Sequence, residues 1–197
     1  MNYLAHLLLS GPDADLRAGG FLGDFVRGRL TGERPVMIER GIALHRHVDA
    51  ASARAAPVHD ANALFPQGLR RWAPIALDVL FDHYLARDFD RYGPGEPLNA
   101  FAAACYRQLD ARRMHLPDPA ERFLDRMIEV DLLGAYADRS SVDRALAHLS
   151  RRARRPNPLA DMGGALVRLD DALYLTFSRL MPLLESDCLE LRAATTE

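Results

Sequence analysis

Hydrophobic side chains recur along this chain with the spacing of α-helices. Residues 36–53 repeat apolar positions every three or four residues, which predicts a helix with one broad apolar face. Residues 73–90 are apolar on most sides, as is typical of a helix buried deep in a core. No stretch alternates polar and apolar residues for long enough to predict a strand. Helices are predicted over residues 13–31, 36–53, 73–90, 97–114, 119–137, 141–153 and 158–186.

Helix boundaries and chain length agree with this pattern. Pro35, Pro97 and Pro158 stand where helices can begin, because proline is tolerated in a first turn. A chain of 197 residues has the size of one domain. We therefore predict an all-α fold, a single-domain bundle of about seven to nine helices over residues 1–191, with residues 192–197 as a frayed tail.

Composition and charge exclude several functional classes. All 25 basic residues are arginine, which suits phosphate contacts but is explained more simply by codon usage, and the net charge of −2 disfavours nucleic-acid binding. Cys105 and Cys188 lie far apart and form neither a disulfide framework nor a thiolate metal motif. No apolar stretch is long enough to span a membrane. We expect a cytoplasmic protein without nucleic-acid binding or membrane insertion.

Polar residues inside the most apolar helix are the first candidates for chemistry. Asp78 and Asp82 are four residues apart and share one face of this helix, and His83 follows directly. A buried carboxylate without a partner costs several kcal/mol or more, so these acids need cations. A divalent metal ion would satisfy them, with His83 as a nitrogen ligand. A buried salt-bridge cluster with Arg70 or Arg71 would do so equally well.

Three further positions carry the same chemistry. His45 and Asp49 lie four residues apart on an otherwise apolar helix, where they can reach one metal ion or form an exposed ion pair. Asp24 lies in the glycine-rich residues 20–28, where missing side chains allow either substrate access or tight helix packing. His6 lies among leucines and is either a core histidine or a further ligand.

Together these residues predict one kind of site. Imidazole and carboxylate groups without cysteine suit Mn²⁺, Mg²⁺, Fe²⁺ or Zn²⁺. Such an ion neutralises phosphoryl oxygens and activates water, and Arg27 and Arg46 can hold a phosphate beside it. The residues alone thus predict a helical metal-dependent phosphohydrolase of unknown substrate. The arginine run in residues 151–155 is either a solvated helix end or a docking patch for an acidic partner.

Four motifs resemble those of the acyl-carrier-protein phosphodiesterase family, in the same order and at the same spacing. They cover roughly the first 90 residues, and the remainder of the chain matches more loosely through its helical pattern. The motif within residues 73–85 is the most specific. The motifs are Met1-Asn2-Tyr3-Leu4-Ala5-His6, Gly23-Asp24-Phe25-Val26-Arg27-Gly28, Gly41-Ile42 with His45-Arg46 and Asp49, and Ala73-Pro74-Ile75-Ala76-Leu77-Asp78-Val79-Leu80-Phe81-Asp82-His83-Tyr84-Leu85.

The resemblance implies an all-helical, HD-domain-like protein, distantly related to HD-type phosphohydrolases, with a role in fatty acid biosynthesis. The family uses a divalent metal, preferentially Mn²⁺, to hydrolyse the bond between a serine of acyl carrier protein and 4′-phosphopantetheine. Carried over to this chain, it implies a metal site of Asp24, His45, Asp49, Asp82 and His83, supported by His6 and Asp78. It implies catalytic roles for Asp24, Arg27, Arg46 and His83, and substrate binding by Arg27, Arg29, Arg46, Arg70 and Arg71.

Two departures from the family pattern concern positions expected near the substrate. Gly19-Gly20 stand where the family usually has Gly-Asn, and Ser52-Ala53 stand where it often has Thr-Asp. Neither change removes a proposed metal ligand. Two other functions stay open: an HD-type hydrolase of a nucleotide or other small phosphodiester, and a non-catalytic helical module that binds acidic carrier proteins. The sequence does not determine the oligomeric state.

Overall fold

The structure is a computed structural model that describes residues 1–194. Within this range it contains thirteen α-helices, two short 3₁₀ turns and no strand, so the predicted all-α class is confirmed. No helix in the described range is both long and apolar enough to cross a membrane. The helices are α1 (Tyr3–Leu9), α2 (Ala14–Leu22), α3 (Val36–Arg54), α4 (Ala56–Leu64), α5 (Gln67–Arg70), α6 (Ala73–Arg87), α7 (Phe89–Tyr92), α8 (Leu98–Asp110), α9 (Asp118–Glu129), α10 (Leu132–Ala135), α11 (Ser140–Arg152), α12 (Gly163–Arg168) and α13 (Asp170–Ala193).

Differences between predicted and observed helices have local causes. Nine of the helices contain seven residues or more, which agrees with the predicted number, although α1, α4 and the short α5 lie outside every predicted range. The helix predicted over residues 13–31 ends at Leu22 with α2, and further along the predicted range Gly28 (φ +81°) adopts a backbone conformation that a helix excludes. The helix predicted over residues 158–186 is divided between α12 and α13. Two acidic residues open α13, where they favour a new helix start.

The predicted tail overlaps the end of the last helix. Helix α13 continues through Arg192 to Ala193. Residues 195–197 of the predicted tail lie outside the described residues. The boundary of the domain at residue 191 therefore stays a prediction.

Helix α6 forms the centre of the bundle. Its side chains Leu80, Phe81, Tyr84 and Leu85 are almost completely buried, and the helix packs against α1, α11 and α13. Burying a large apolar side chain stabilises a fold by about 1.5–3 kcal/mol, so this helix contributes much of the core energy. Helix α6 is buried on most sides because it has almost no polar face.

Helices α2 and α3 approach each other closely through glycine. A Cβ atom on Gly19 would lie 2.1 Å from the carbonyl oxygen of Ile38 and 2.6 Å from the Cα atom of Gly41. Only a hydrogen atom fits between the two backbones. This approach brings Asp24, which follows α2, beside His45 in the middle of α3.

A buried carboxylate fixes the first helix to α6. Asp82 is fully buried and accepts hydrogen bonds from the backbone N–H groups of Asn2 (3.1 Å), Leu4 (2.7 Å) and Ala5 (3.4 Å). N–H groups at a helix start have no partner inside the helix, and the positive end of the helix favours an anion there. Asp82 therefore orients α1 and, with it, the side chain of His6.

Candidate active site

Two histidines and an aspartate from α1 and α3 meet in a cavity. The rings of His6 and His45 are stacked, with centroids 3.7 Å apart and planes inclined by 14°. Both Nε2 atoms face the carboxylate of Asp49, at 3.1 Å for His6 and 3.3 Å for His45. One donor atom from each of the three residues lies within 4.8 Å of the others. In residues 1–194 this is the one group of histidine, cysteine and acidic side chains close enough to share a metal ion.

The backbone determines how His45 presents its ring. The Nδ1 atom lies 2.7 Å from the carbonyl oxygen of Gly20, which can only accept, so Nδ1 carries the hydrogen. In the neutral ring, Nε2 is then a bare lone pair that faces Asp49 at 3.3 Å and Asp24 at 3.7 Å. A lone pair opposite carboxylate oxygens is repulsive unless a cation lies between them. The arrangement therefore requires either a proton or a metal ion.

Protonation of the three groups follows from burial and from shared charge. Burial lowers the pKa of His6 to about 4, so this ring is neutral at pH 7. Burial also lowers the pKa of His45, but the hydrogen bond and charge of Asp49 outweigh it and leave the pKa raised. Burial raises the pKa of Asp49, yet the hydrogen bonds of His45 and His6 hold it well below its usual value. A metal ion bound between His45 and Asp49 would displace the proton that this pair favours.

Two more carboxylates border the same cavity. Asp24 is half-exposed in the loop after α2 and accepts a hydrogen bond from the hydroxyl group of Tyr3. Asp78 of α6 accepts a 2.6 Å hydrogen bond from the amino group of Met1. We call Asp24, Asp49 and Asp78 the acidic wall, since all three line the cavity. The amino group of Met1 offsets the charge of Asp78, so the negative charge that favours a bound cation comes from Asp24 and Asp49.

The cavity is large, and apolar side chains and arginines line it in addition to the carboxylates. Its volume is about 750 Å³, the size of a site for a cofactor or a drug-sized molecule. Apolar side chains such as Phe123 and Met127 form much of its surface. Arg126 of α9 and Arg144 and Arg152 of α11 also line it, and we call these three the arginine rim. A ligand with an anionic part and an apolar or extended part fits such a lining.

Comparison with known sequences identifies the family of this chain. The profile of the family described as acyl carrier protein phosphodiesterase matches residues 1–184. The chain belongs to this family. A relative named acyl carrier protein phosphodiesterase, from Salmonella dublin, is 34% identical over 185 residues, covering 92% of this chain and 94% of the relative. Relatives of the same name from Salmonella newport and Salmonella heidelberg are 33% identical over the same share of each chain.

Family membership confirms the resemblance that the four motifs indicated. No solved structure matches the chain. The distant relation to HD-type phosphohydrolases therefore stays a prediction, although the all-helical class that it implies is observed.

The structure does not bring Asp82 and His83 to the stacked histidines. The carboxylate of Asp82 is occupied by the backbone N–H groups that open α1. His83 has its Nδ1 atom 2.8 Å from the carbonyl oxygen of Tyr136, just after α10. Neither residue lines the cavity in the described range. Their assignment as metal ligands stays a prediction, and their observed contacts hold α1 and the segment after α10 in place.

The arginines predicted to bind substrate lie outside the cavity lining in residues 1–194. Arg46 donates hydrogen bonds of 2.9 and 2.8 Å to two carbonyl oxygens of the loop after α2. Arg70 donates two of 2.9 Å to carbonyl oxygens around the end of α4. Arg71 lies over the neighbouring indole ring, and Arg27 and Arg29 are exposed in the loop after α2. Two of the five therefore stabilise loops, including the loop that carries Asp24.

From the sequence, Arg152 stood out only as part of the run in residues 151–155, and Arg126 and Arg144 were not predicted as part of the site. Arg144, His148 and Arg152 follow one another at intervals of four, a spacing that predicts one helix face. That signal could have been found. Arg126 comes from another helix, and only the folded chain shows that it borders the same cavity.

The two departures from the family pattern have different surroundings. Ser52 and Ala53 line the cavity, so this change lies where a substrate can reach it. Gly20 does not line the cavity. A Cβ atom on this residue would lie 2.3 Å from the Oγ atom of Ser10, which follows α1. A larger side chain at position 20 would need Ser10 to move.

Proposed function

We propose that this protein is a metal-dependent phosphodiesterase that hydrolyses 4′-phosphopantetheine from the serine of holo-acyl carrier protein. The products are apo-acyl carrier protein and free 4′-phosphopantetheine. The observation that carries the proposal is the meeting of His6, His45 and Asp49 in the cavity of a chain that matches the family over residues 1–184. The proposal includes Mn²⁺ as the metal and the cytoplasm as the location, without nucleic-acid binding or membrane insertion.

His6, His45 and Asp49 are the proposed metal ligands, and Asp24 is placed to complete the set. Two imidazole nitrogens with carboxylate oxygens form a mixed donor set that suits Mn²⁺ and related ions. The carbonyl group of Gly20 accepts a hydrogen bond from Nδ1 of His45. Metal-binding imidazoles are commonly oriented by such a bond from the ring nitrogen that does not contact the metal. A divalent ion held there supplies positive charge to the phosphoryl oxygens and lowers the pKa of water.

Other residues position these ligands and the substrate. Asp82 holds α1 so that His6 faces Asp49, and Arg46 holds the loop that carries Asp24. The apolar lining around Phe123 excludes water beside the extended phosphopantetheine arm. Lower local dielectric strengthens each charge interaction with the phosphate.

Mass spectrometry of purified holo-acyl carrier protein tests the proposal. Incubation with the protein and Mn²⁺ should remove the mass of the phosphopantetheine group, and EDTA should prevent this loss. Asp49→Asn should slow the reaction by about 100-fold or more, since it removes the charge of a proposed metal ligand that contacts both imidazole rings. Asp60→Asn makes the same change at an exposed position of α4 and should react like the wild type.

Each other result points to a different function. An unchanged carrier, with folded protein and Mn²⁺ present, would refute the proposed substrate. If bis(4-nitrophenyl) phosphate were then turned over, the protein would be a hydrolase of small phosphodiesters. Carrier binding without cleavage, together with no metal in the purified protein, would indicate a binding module.

A further inference from the structure

The arginine rim lies on helices that contribute nothing to the histidine–aspartate group. Arg126 is on α9, whereas Arg144 and Arg152 are on α11, and all three line the cavity that contains His6. Arg144, His148 and Arg152 lie one turn apart from each other along α11, so a single face of that helix borders the cavity. The rim therefore brings positive charge to the cavity from helices other than those that carry the proposed metal ligands.

The side chains of the rim are exposed and weakly engaged. Arg126 contacts Glu129 at 2.6 Å, and these side chains are 63% and 68% exposed. Arg144 contacts Asp138 at 3.5 Å, where both side chains are 62% exposed, and donates a hydrogen bond to the hydroxyl group of Ser140 at the start of α11. In residues 1–194 Arg152 makes no ion pair, and its charge acts on the hydroxyl group of Tyr3 across the cavity. Exposed pairs contribute little and exchange readily for another anion, so the rim is available to a partner.

Positive charge is concentrated beside the cavity although the chain as a whole is slightly acidic. Residues 140–155 contain five arginines and one acidic residue, whereas the net charge of the whole chain is −2. The acidic wall lies in the same cavity. A partner with a negative surface is thus attracted at the rim and repelled at the acidic wall, which gives it one orientation.

We propose that the arginine rim is the docking surface for the negative face of the carrier protein, so that the prosthetic arm enters the cavity toward His6 and Asp49. This inference rests on the proposed function, because that function supplies an acidic protein as the partner. It assigns docking to different arginines from those that the resemblance implied, although Arg152 belongs to the run in residues 151–155 that the sequence left open as a docking patch. Arg46 and Arg70 donate hydrogen bonds to backbone carbonyl groups of loops, whereas the rim arginines make exposed contacts that a partner can replace.

The double variant Arg144→Glu/Arg152→Glu tests the docking surface. Its matched control is Arg107→Glu/Arg179→Glu, which makes the same charge change at exposed positions of α8 and α13 outside the cavity lining. In the rim variant kcat/KM for holo-carrier should fall by about 10–100-fold at low salt, mainly through KM. Its kcat at saturation, Mn²⁺ affinity and Tm should match the wild type, and the control should match throughout.

Binding of apo-carrier, which lacks the prosthetic arm, separates docking from hydrolysis. Fluorescence anisotropy of labelled apo-carrier should show binding by the wild type and the control, weakening as salt increases, and loss of binding by the rim variant. Equal apo-carrier binding and equal kcat/KM in wild type and rim variant would overturn the docking surface while leaving hydrolysis intact.

Two further outcomes distinguish the partner from the reaction. Carrier binding that is lost only in the rim variant, with no cleavage even by the wild type, would overturn the proposed function and support the docking surface. Single-stranded RNA bound as tightly as the carrier, and lost in the same variant, would overturn the carrier as the specific partner.

Discussion

Gly23→Ala places a single methyl group against a proposed metal ligand. Gly23 ends α2 with φ −52° and ψ −36°, which alanine adopts without strain. The new Cβ atom would lie 2.1 Å from Cγ, 2.3 Å from Cδ2 and 2.5 Å from Nδ1 of His45. Carbon atoms in contact lie about 3.5–4.0 Å apart, so the ring or the helix has to move by more than about 1 Å. Apart from the ordinary gain in helix propensity, the effect of the substitution therefore comes from displacement of His45.

Movement of His45 has consequences for both metal affinity and stability. The ring cannot shift without weakening its stack on His6 or its hydrogen bond to Gly20. Metal–ligand distances tolerate about 0.2 Å, so we expect Mn²⁺ affinity to fall by about 10–100-fold. Overpacking costs about 1–3 kcal/mol, which for a chain of this size lowers Tm by about 2–4 °C per kcal/mol.

Titration calorimetry with Mn²⁺ and thermal unfolding followed by circular dichroism measure the two effects. Gly68→Ala is the matched control, because it lies in helix α5 and a Cβ atom there has no neighbour within 4 Å. Alanine is the better helix former by about 0.5–1 kcal/mol, so this control should melt at or slightly above the wild-type temperature. If Gly23→Ala binds Mn²⁺ and melts like Gly68→Ala, the proposed role of His45 beside Gly23 is refuted.

Two further predictions concern packing and pH. Gly19→Ala should lower Tm by more than Gly23→Ala does, because its Cβ atom meets the backbone of α3 rather than a side chain, and an unchanged melting curve would contradict the glycine contact. In EDTA, wild-type stability should fall as pH decreases from 6.5 toward 4, because His6, with its pKa lowered to about 4, must stay neutral in the fold while the unfolded chain takes up a proton. Between pH 7 and pH 5 this contributes about 2 kcal/mol, so His6→Gln should lose that much less in urea unfolding, and an equal loss in both proteins would exclude this cause.

Part of the candidate site can be predicted from the sequence because it lies within one helix. His45 and Asp49 are four residues apart, and helical spacing alone places them on one face. His6 is different, since its role depends on how α1 docks on α6. Periodicity gives no information about that contact, and the stack of His6 on His45 is visible only in the folded chain.

Asp82 shows why a buried charge is easier to predict than its partner. The sequence indicated a carboxylate in an apolar helix that needs compensation, and the structure confirms the burial. The compensating partners are backbone N–H groups at the start of α1. Every residue except proline has such a group, so the sequence does not distinguish these donors from any others. Candidate partners drawn from side chains alone omit this possibility.

The cavity draws its two charged surfaces from separate stretches of the chain. The acidic wall and His6 come from helices and loops before residue 88, whereas the arginine rim comes from α9 and α11. None of the proposed metal ligands lies on α11, so a change in α11 can alter the choice of partner without removing a ligand. The same scaffold can therefore diverge toward new carriers by mutation of one helix while its reaction is inherited unchanged.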